Sequence, residues 1–306
     1  MQNILIISSA NMDFVMPLAT FPARGQTVIE AGAYRYVPGG KGANSAVAVA
    51  RLGGHCTFCA KLGRDDNGDA LTALYEREGI DCQALFRSED APTGLAAILV
   101  EADGSNRIVV YPGANMTMTK EDIDRALDSN PDALYLQLEI AHEAVLHAAR
   151  EASARGIPIF LDAGPADAAF ALEELPPLVL LSPNETEAEI FTGIAPDSEE
   201  TCLACALALS ERVRAQYIVL KLGGRGAYLY DSAKKTGKMI PALPVKVVDT
   251  TAAGDAFTAA LTLSYLQTGD MEKAVRYGNA VGALTVSRAG ASSSIPTKDE
   301  VEIFLN

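Results

Sequence analysis

Apolar positions along the chain keep two different periods. Short runs dense in aliphatic and β-branched residues, at 3–8, 55–61, 133–138, 157–161 and 217–222, read as strands covered on both faces. Between and after them, apolar residues at helical spacing predict helices over 43–52, around 71–75 with Gly79 as the stop, and over 120–127, 143–154, 201–209, 256–266, 271–287 and 298–304. Strands alternating with helices imply a doubly wound, mostly parallel sheet flanked by helices. Two stretches break that rhythm. Residues 14–37 carry Pro17, Pro22 and Gly25 with little helical periodicity, and the β-rich runs 93–100 and 107–111 flank the hairpin dipeptide Asp103-Gly104. They are expected to form a small β lid, from about 14–38 and 93–111, on a single α/β domain of residues 1–306. A further helix start is predicted at Ser182-Pro183-Asn184-Glu185, with Ser182 as cap and Pro183 in the first turn.

With 306 residues, 49% of them hydrophobic, the chain can bury a large core. Its formal net charge of −14 and the lack of any Lys/Arg run argue against a nucleic-acid or anionic-membrane surface. No stretch reaches the roughly 18 apolar residues of a membrane span, and the first eight residues lack the basic flank of a signal peptide, so a cytoplasmic protein is expected. Cys56/Cys59 and Cys202/Cys205 have the spacing of zinc ligands, but the first pair falls on a strand, where positions three apart face opposite ways. His142 and His147 sit five apart on a helix, about 140° round its axis, and are expected to be solvated.

Candidate chemistry gathers where small residues meet a helix start. The β-branched run 244–248 leads into Ala252-Ala253-Gly254-Asp255, which opens the helix of 256–266. Free N–H groups and the dipole at a helix N-terminus attract an anion, and Asp255 on the same turn could accept a proton. On these residues alone a plain helix cap stays an open reading. Asn11-Met12-Asp13 and Glu139 follow strands, at the edge where parallel sheets bind ligands; turn-forming and helix-leading roles stay open there too. Gly39-Gly40-Lys41-Gly42-Ala43-Asn44 is no Walker A loop, because Gly42 replaces the hydroxyl residue and Arg35 the earlier glycine. It brings backbone close to a ligand, and Lys41 and Asn44 can donate to hydroxyls. Gly223-Gly224-Arg225-Gly226 leads to a strand rather than a helix, and no GxGxxG follows the first strand, so a dinucleotide fingerprint is absent.

The stretch DTTAAGDAF at 249–257 resembles the C-terminal signature of the ribokinase family of sugar and nucleoside kinases, D-T-x-[GA]-A-G-D, and GGKGAN at 39–44 resembles its N-terminal one. With weaker matches the resemblance runs from Asn11 to Ser294. It implies a ribokinase-like fold, ATP as phosphoryl donor, Mg²⁺ and K⁺ as cofactors, a small sugar as partner, and a homodimer paired through the lid. By the same resemblance Asp255 deprotonates the acceptor hydroxyl while Ala252, Ala253 and Gly254 turn N–H groups to the γ-phosphoryl oxygens. Asn11 and Asp13 (N-x-D), Gly39, Gly40, Lys41, Asn44 and Glu139 (in Gln137-Leu138-Glu139) would hold the sugar. Glu187 would order the Mg²⁺ water shell and Asn184 approach the phosphates, as N-x-x-E. Gly223 and Gly226 would lie along ATP, with Lys221 where Thr is common, and Asn279 would sit near the adenine. Asp249 and Ser294, with carbonyls of Thr251, Thr285, Arg288 and Gly290, would hold K⁺, although Ser292-Ser293-Ser294 stands where relatives often have Gln-Pro-Ser. The expected reaction is D-ribose to D-ribose 5-phosphate. Kinases of deoxyribose, fructose or nucleosides, and a catalytically idle sugar-binding regulator, are the rivals.

Overall fold

A computed structural model of the protein describes residues 2–30, 32–102 and 105–306. In chain order it contains β1 (Asn3–Ile7), β2 (Asn11–Leu18), β3 (Arg35–Gly39), α1 (Lys41–Arg51), β4 (His55–Gly63), α2 (Asp66–Arg77), β5 (Leu85–Ser88), β6 (Gly94–Glu101) and β7 (Asn106–Tyr111). The alternating part follows, with α3 (Lys120–Leu127), β8 (Ala133–Leu136), α4 (His142–Ala154), β9 (Ile159–Asp162), β10 (Leu178–Ser182), α5 (Glu185–Thr192), α6 (Glu199–Arg212) and β11 (Ala215–Lys221). The chain ends with β12 (Ala227–Asp231), β13 (Thr236–Ile240), α7 (Ala253–Thr268), α8 (Met271–Val286) and α9 (Lys298–Leu305).

The large sheet runs β13-β12-β11-β10-β9-β8-β1-β4-β5 and is parallel except at β12 and β13. Because side chains alternate along a strand, each inner strand feeds both faces. Leu5, Ile7, Leu134, Leu136 and Ile159 pack with α3–α6, while Ile4, Ile6, Ala133, Tyr135 and Phe160 pack with α1, α2 and α7–α9. Cys59 belongs to the first layer and Cys56 to the second, so the two thiols face opposite sides of the sheet. The direction of winding reverses between β1 and β8, and the cleft opens beyond the C-terminal ends of those strands.

A second sheet, β3-β2-β6-β7, forms the lid. β2 begins at Asn11, directly after β1, and pairs Asn11 with Gly39 and Asp13 with Val37 of β3. The lid strands therefore carry Asn11 and Asp13, two of the expected site residues, at the edge of the cleft. β6 and β7 pair antiparallel from Leu95/Tyr111 to Val100/Asn106. Asp103-Gly104, the expected turn between them, lies outside the described residues.

Two local expectations are corrected. Ser182 pairs with Asp162 as the last residue of β10, so the sheet claims it and Pro183 stays outside the helix. Asn184 caps α5 instead: its side chain accepts from Glu187 N–H at 2.8 Å and its own N–H donates to Glu187 Oε2 at 2.7 Å. The run 244–248 leads to α7 without joining a sheet, and Val247 and Val248 are 59% and 55% exposed. Val248 and Asp249 N–H donate to the Val286 carbonyl, tying this loop to the end of α8. His147 is half-buried with Nε2 2.8 Å from Asp124, and His142 lies 3.5 Å from Asp167, so neither is simply solvated.

Candidate active site

Strand parity assembles the site. In β8, β9 and β11 the residues facing α1 and α7 include Tyr135, Phe160 and Val219, so continuing each strand turns Gln137, Asp162 and Lys221 the same way. Ser8, after Ile4 and Ile6, joins them and donates to Gln137 Oε1 at 2.8 Å. Gln137 Nε2 lies 3.4 Å from Asp255 Oδ1, Asn44 Nδ2 donates to Oδ2 at 2.9 Å, and Lys41 Nζ stands 3.3 Å from Oδ1. The Asp255 carboxylate is buried and turned across the cleft instead of back onto its own helix, which separates it from a plain cap. Asn44 Oδ1 is buried with no protein partner.

Toward the lid, Glu139 Oε2 accepts from Lys41 N–H at 3.0 Å and from the Ser9 hydroxyl. Asn115, buried in the loop after β7, donates to Asn11 Oδ1 at 2.7 Å and fixes that amide. A Cβ on Gly39 would stand 2.1 Å from Asp13 Oδ2, and one on Gly40, at φ 90°, 2.8 Å from Asn11 N, so both glycines make room for this pocket. Burial, and then the neighbouring Glu139 charge, push the Asp13 carboxyl up to about 7. For Lys41 burial opposes the charge, but Asp255, Asp162, Glu187 and Glu139 outweigh it and hold the ammonium well above its ordinary range. The structure thus puts the Lys41 head group beside Asp255, with its backbone N–H on Glu139.

Across Asp255 lies a cavity of about 570 Å³, lined on its apolar side by Leu243, Val245, Phe257, Ala283 and Val286. Gly226, at φ 96°, would drive a Cβ to 2.2 Å from the Ile240 carbonyl, so only glycine lets the turn at Gly223 pass under this wall. Asn279 Nδ2 donates to the carbonyls of Ile240 and Pro241, pinning the same wall. At the inner end Ala252 adopts left-handed geometry, φ 63°, as the cap of α7. Among the described residues Ala253 N–H reaches the Thr250 carbonyl at 3.3 Å, whereas the N–H groups of Ala252, Gly254 and Asp255 have no protein acceptor. That turn can receive an anion.

Glu187 is 5% exposed, and its Oε1, which takes part in no hydrogen bond, lies where a Cβ on Gly164 would come within 2.2 Å. A free carboxylate oxygen in a glycine-lined niche suits Mg²⁺, which keeps most of its waters and takes few carboxylates. Behind the turn, Asp249 accepts from Thr251 N–H and hydroxyl and from Gly290 N–H, at 3.0, 2.7 and 2.9 Å. Burial alone would raise its carboxyl; those bonds and the charge of Arg35 outweigh it, so it stays ionised below the ordinary range. Asp249, Thr251 and Gly290 therefore meet. Thr285 and Ser294 are buried nearby in sequence, the Thr285 carbonyl accepts from Arg288 N–H, and the Arg288 side chain pairs with Glu300.

Ser9, Asn115 and Asp162 carry no signature in the sequence, and Gln137 stands out there only as the neighbour of Glu139 in Gln137-Leu138-Glu139. Strand parity was the available signal for Gln137 and Asp162; nothing local marks Asn115. The chain matches the pfkB family carbohydrate kinase over residues 1–298. It is 36% identical over 302 residues to the ribokinase of Staphylococcus aureus, covering 97% of this chain and 98% of that one. It is also 36% identical over 310 residues to the bifunctional ribokinase/ribose-5-phosphate isomerase A of Fructilactobacillus sanfranciscensis, spanning all of this chain but 56% of that protein. The solved Arabidopsis thaliana ribokinase complexed with ribose and ATP superposes with a TM-score of 0.90 at 28% identity, over 100% of this chain and 99% of that one. Both the lid-and-sheet architecture and the whole-length match lead to one conclusion: the chain belongs to the pfkB family of carbohydrate kinases.

Proposed function

We propose that this carbohydrate kinase transfers the γ-phosphoryl group of ATP to the primary hydroxyl of D-ribose, with Asp255 as general base. The observation that carries the reading is the Asp255 carboxylate itself, buried at the first turn of α7 between the amide- and carboxylate-lined lid pocket and the open N–H groups of Ala252 and Gly254. The acceptor oxygen attacks phosphorus, its proton passes to Asp255, and the bond to the departing ADP breaks with its electron pair on ADP. Asn44 and Gln137 hold the carboxylate, so its orientation is set before substrate arrives. Asn11, Asp13, Gly39, Gly40, Asn44 and Glu139 take the sugar; Asn184, Gly223, Gly226 and Asn279 border the nucleotide. Bound Mg²⁺ would neutralise phosphate charge, with Glu187 orienting its waters. A K⁺ ion at Asp249, Thr251, Thr285, Arg288, Gly290 and Ser294 would shape the anion turn.

Ribose is favoured over 2-deoxyribose because the pocket is dense in groups that need hydroxyl partners. A buried polar group left unpaired costs ~1–3 kcal/mol, roughly 5- to 150-fold in kcat/KM. The test is an ADP-release assay over ribose, 2-deoxyribose, fructose and adenosine. Ribose should have the highest kcat/KM; a rival at or above it reassigns the substrate, and no turnover with any of them removes the kinase reading. A homodimer through the lid is supported by the exposed apolar edge strand β7, with Val109 and Tyr111 67% and 68% exposed, and light scattering at the monomer mass would dismiss it. Five free cysteines, four of them buried, support a reducing, cytoplasmic location. Among the described residues no helix is long and apolar enough to cross a membrane.

A further inference from the structure

The phosphate end of the cleft contains an ion pair that the chemistry above leaves unused. Asp162 closes β9 and Lys221 closes β11; parity turns both toward α7, and the Lys221 N–H on the Pro183 carbonyl fixes the strand end. Asp162 is fully buried, and Lys221 is 9% exposed on the wall of the nucleotide cavity. The Lys221 ammonium donates to Asp162 Oδ1, while the Tyr135 hydroxyl lies 3.4 Å from Oδ2. The same ammonium stands 4.0 Å from Glu187 Oε2 and 3.7 Å from the place a Cβ on Gly254 would occupy. It therefore sits between the carboxylate suited to Mg²⁺ and the open N–H groups of the α7 turn.

An ammonium has three donors. Asp162 takes one, and Glu187 at 4.0 Å is beyond hydrogen-bond reach, so donors remain for an anion entering the turn. The electrostatics give those donors a task. Asp162, Glu187, Glu139 and Asp255 surround the transfer point, against the two ammonium groups of Lys41 and Lys221. Lys41 stands on the acceptor side, 3.3 Å from Asp255; Lys221 stands on the donor side, against Gly254. A polyphosphate brought into this acidic site needs a cation on its own side.

We propose that Lys221 is a catalytic residue: anchored by Asp162, its ammonium binds the β/γ-phosphate end of the nucleotide and carries part of the charge neutralisation that Mg²⁺ alone would otherwise supply. The proposal rests on the kinase reading of the site. As the acceptor oxygen bonds to phosphorus and the bond to ADP breaks, negative charge grows on the leaving phosphate, where Lys221 holds it; the proton goes to Asp255.

Lys221→Met alone strands a buried carboxylate, so the decisive variant is Lys221→Met with Asp162→Asn, which removes both charges and keeps the volume. Calorimetric titration with ADP and with adenosine in excess EDTA reads the lysine without metal and without turnover. ADP should bind about 10-fold or more weakly to the double variant, with adenosine unchanged, and kcat for the sugar should fall ~100-fold at nearly constant sugar KM. Lys221→Arg, which keeps the charge, should retain most of the preference for ADP. Equal weakening of ADP and adenosine, or a double variant turning over like the wild type, would overturn the proposal and reduce Lys221 to a structural counter-ion. A wild type inert toward every sugar would defeat the kinase reading, yet the ADP-to-adenosine comparison would still report on Lys221.

Discussion

The proposed sugar end of the cleft is built from side chains, whereas the proposed phosphoryl end centres on the backbone N–H groups of the Ala252–Gly254 turn, with the Lys221 ammonium standing against it. Asn11 and Asp13 come from a lid strand, Asn44 from α1, and Gln137 and Glu139 from the exit of β8. On the proposed reading each meets a sugar hydroxyl, so an exchange at any one of them should alter which hydroxyl is recognised. The anion turn depends on conformation instead: on the left-handed φ of Ala252 and on the tie from Asp249 to Gly290 that holds the loop behind it. A side-chain pocket can be retuned residue by residue. A backbone site is kept or lost with its local geometry.

The largest effect should come from the residue that serves both ends. Asp255→Asn is expected to lower kcat by at least ~100-fold while calorimetry finds sugar and ADP binding largely retained, the scale for losing a general base. Near-wild-type turnover would remove Asp255 from the mechanism and break the comparison at its centre. Next, a methyl group can be placed at either end. Gly39→Ala pushes against the Asp13 carboxylate and should raise the sugar KM by roughly 10-fold, leaving the ATP KM alone. Gly226→Ala meets the Ile240 carbonyl and should do the reverse. If either variant moves both constants alike, the two ends are not separable.

A smaller effect follows from Asp13. Its carboxyl is pushed up to about 7, chiefly by burial, so it is protonated below that pH and ionised above it. The ionised form is the stronger acceptor for hydroxyls, so kcat/KM for the sugar should rise with pH through about 7 and then level. Asp13→Asn should flatten that limb, and an unchanged profile would take Asp13 out of sugar binding. The smallest change is expected on replacing K⁺ by Na⁺ at constant ionic strength, a few-fold loss of rate through the Asp249 loop. Equal rates would leave that loop held by its own hydrogen bonds.

Most of the layered fold was legible, since a strand buried on both faces must be nearly all apolar and a helix facing a sheet must repeat its apolar residues every three or four positions. The failures were local and had tertiary causes. Ser182 has capping chemistry but is held in β10 by its pairing with Asp162, and His147 has helix-surface spacing but meets Asp124. Asp162 and Lys221 show the same limit at the site. Each was visible as a polar residue ending an apolar strand, but strands 59 residues apart in sequence gave no sign that the two charges would meet.

By itself, the sequence determined the fold class and a small-residue helix start carrying Asp255, because these depend on periodicity and on chemistry carried within a few residues; the roles proposed for its polar residues came from the resemblance of two short motifs. Only the tertiary structure decided which of them touch. Asn115 reaches Asn11 across 104 positions, and Asn44 reaches Asp255 across 211. Such contacts are set by how sheet, helices and lid pack together, and no local pattern encodes that distance.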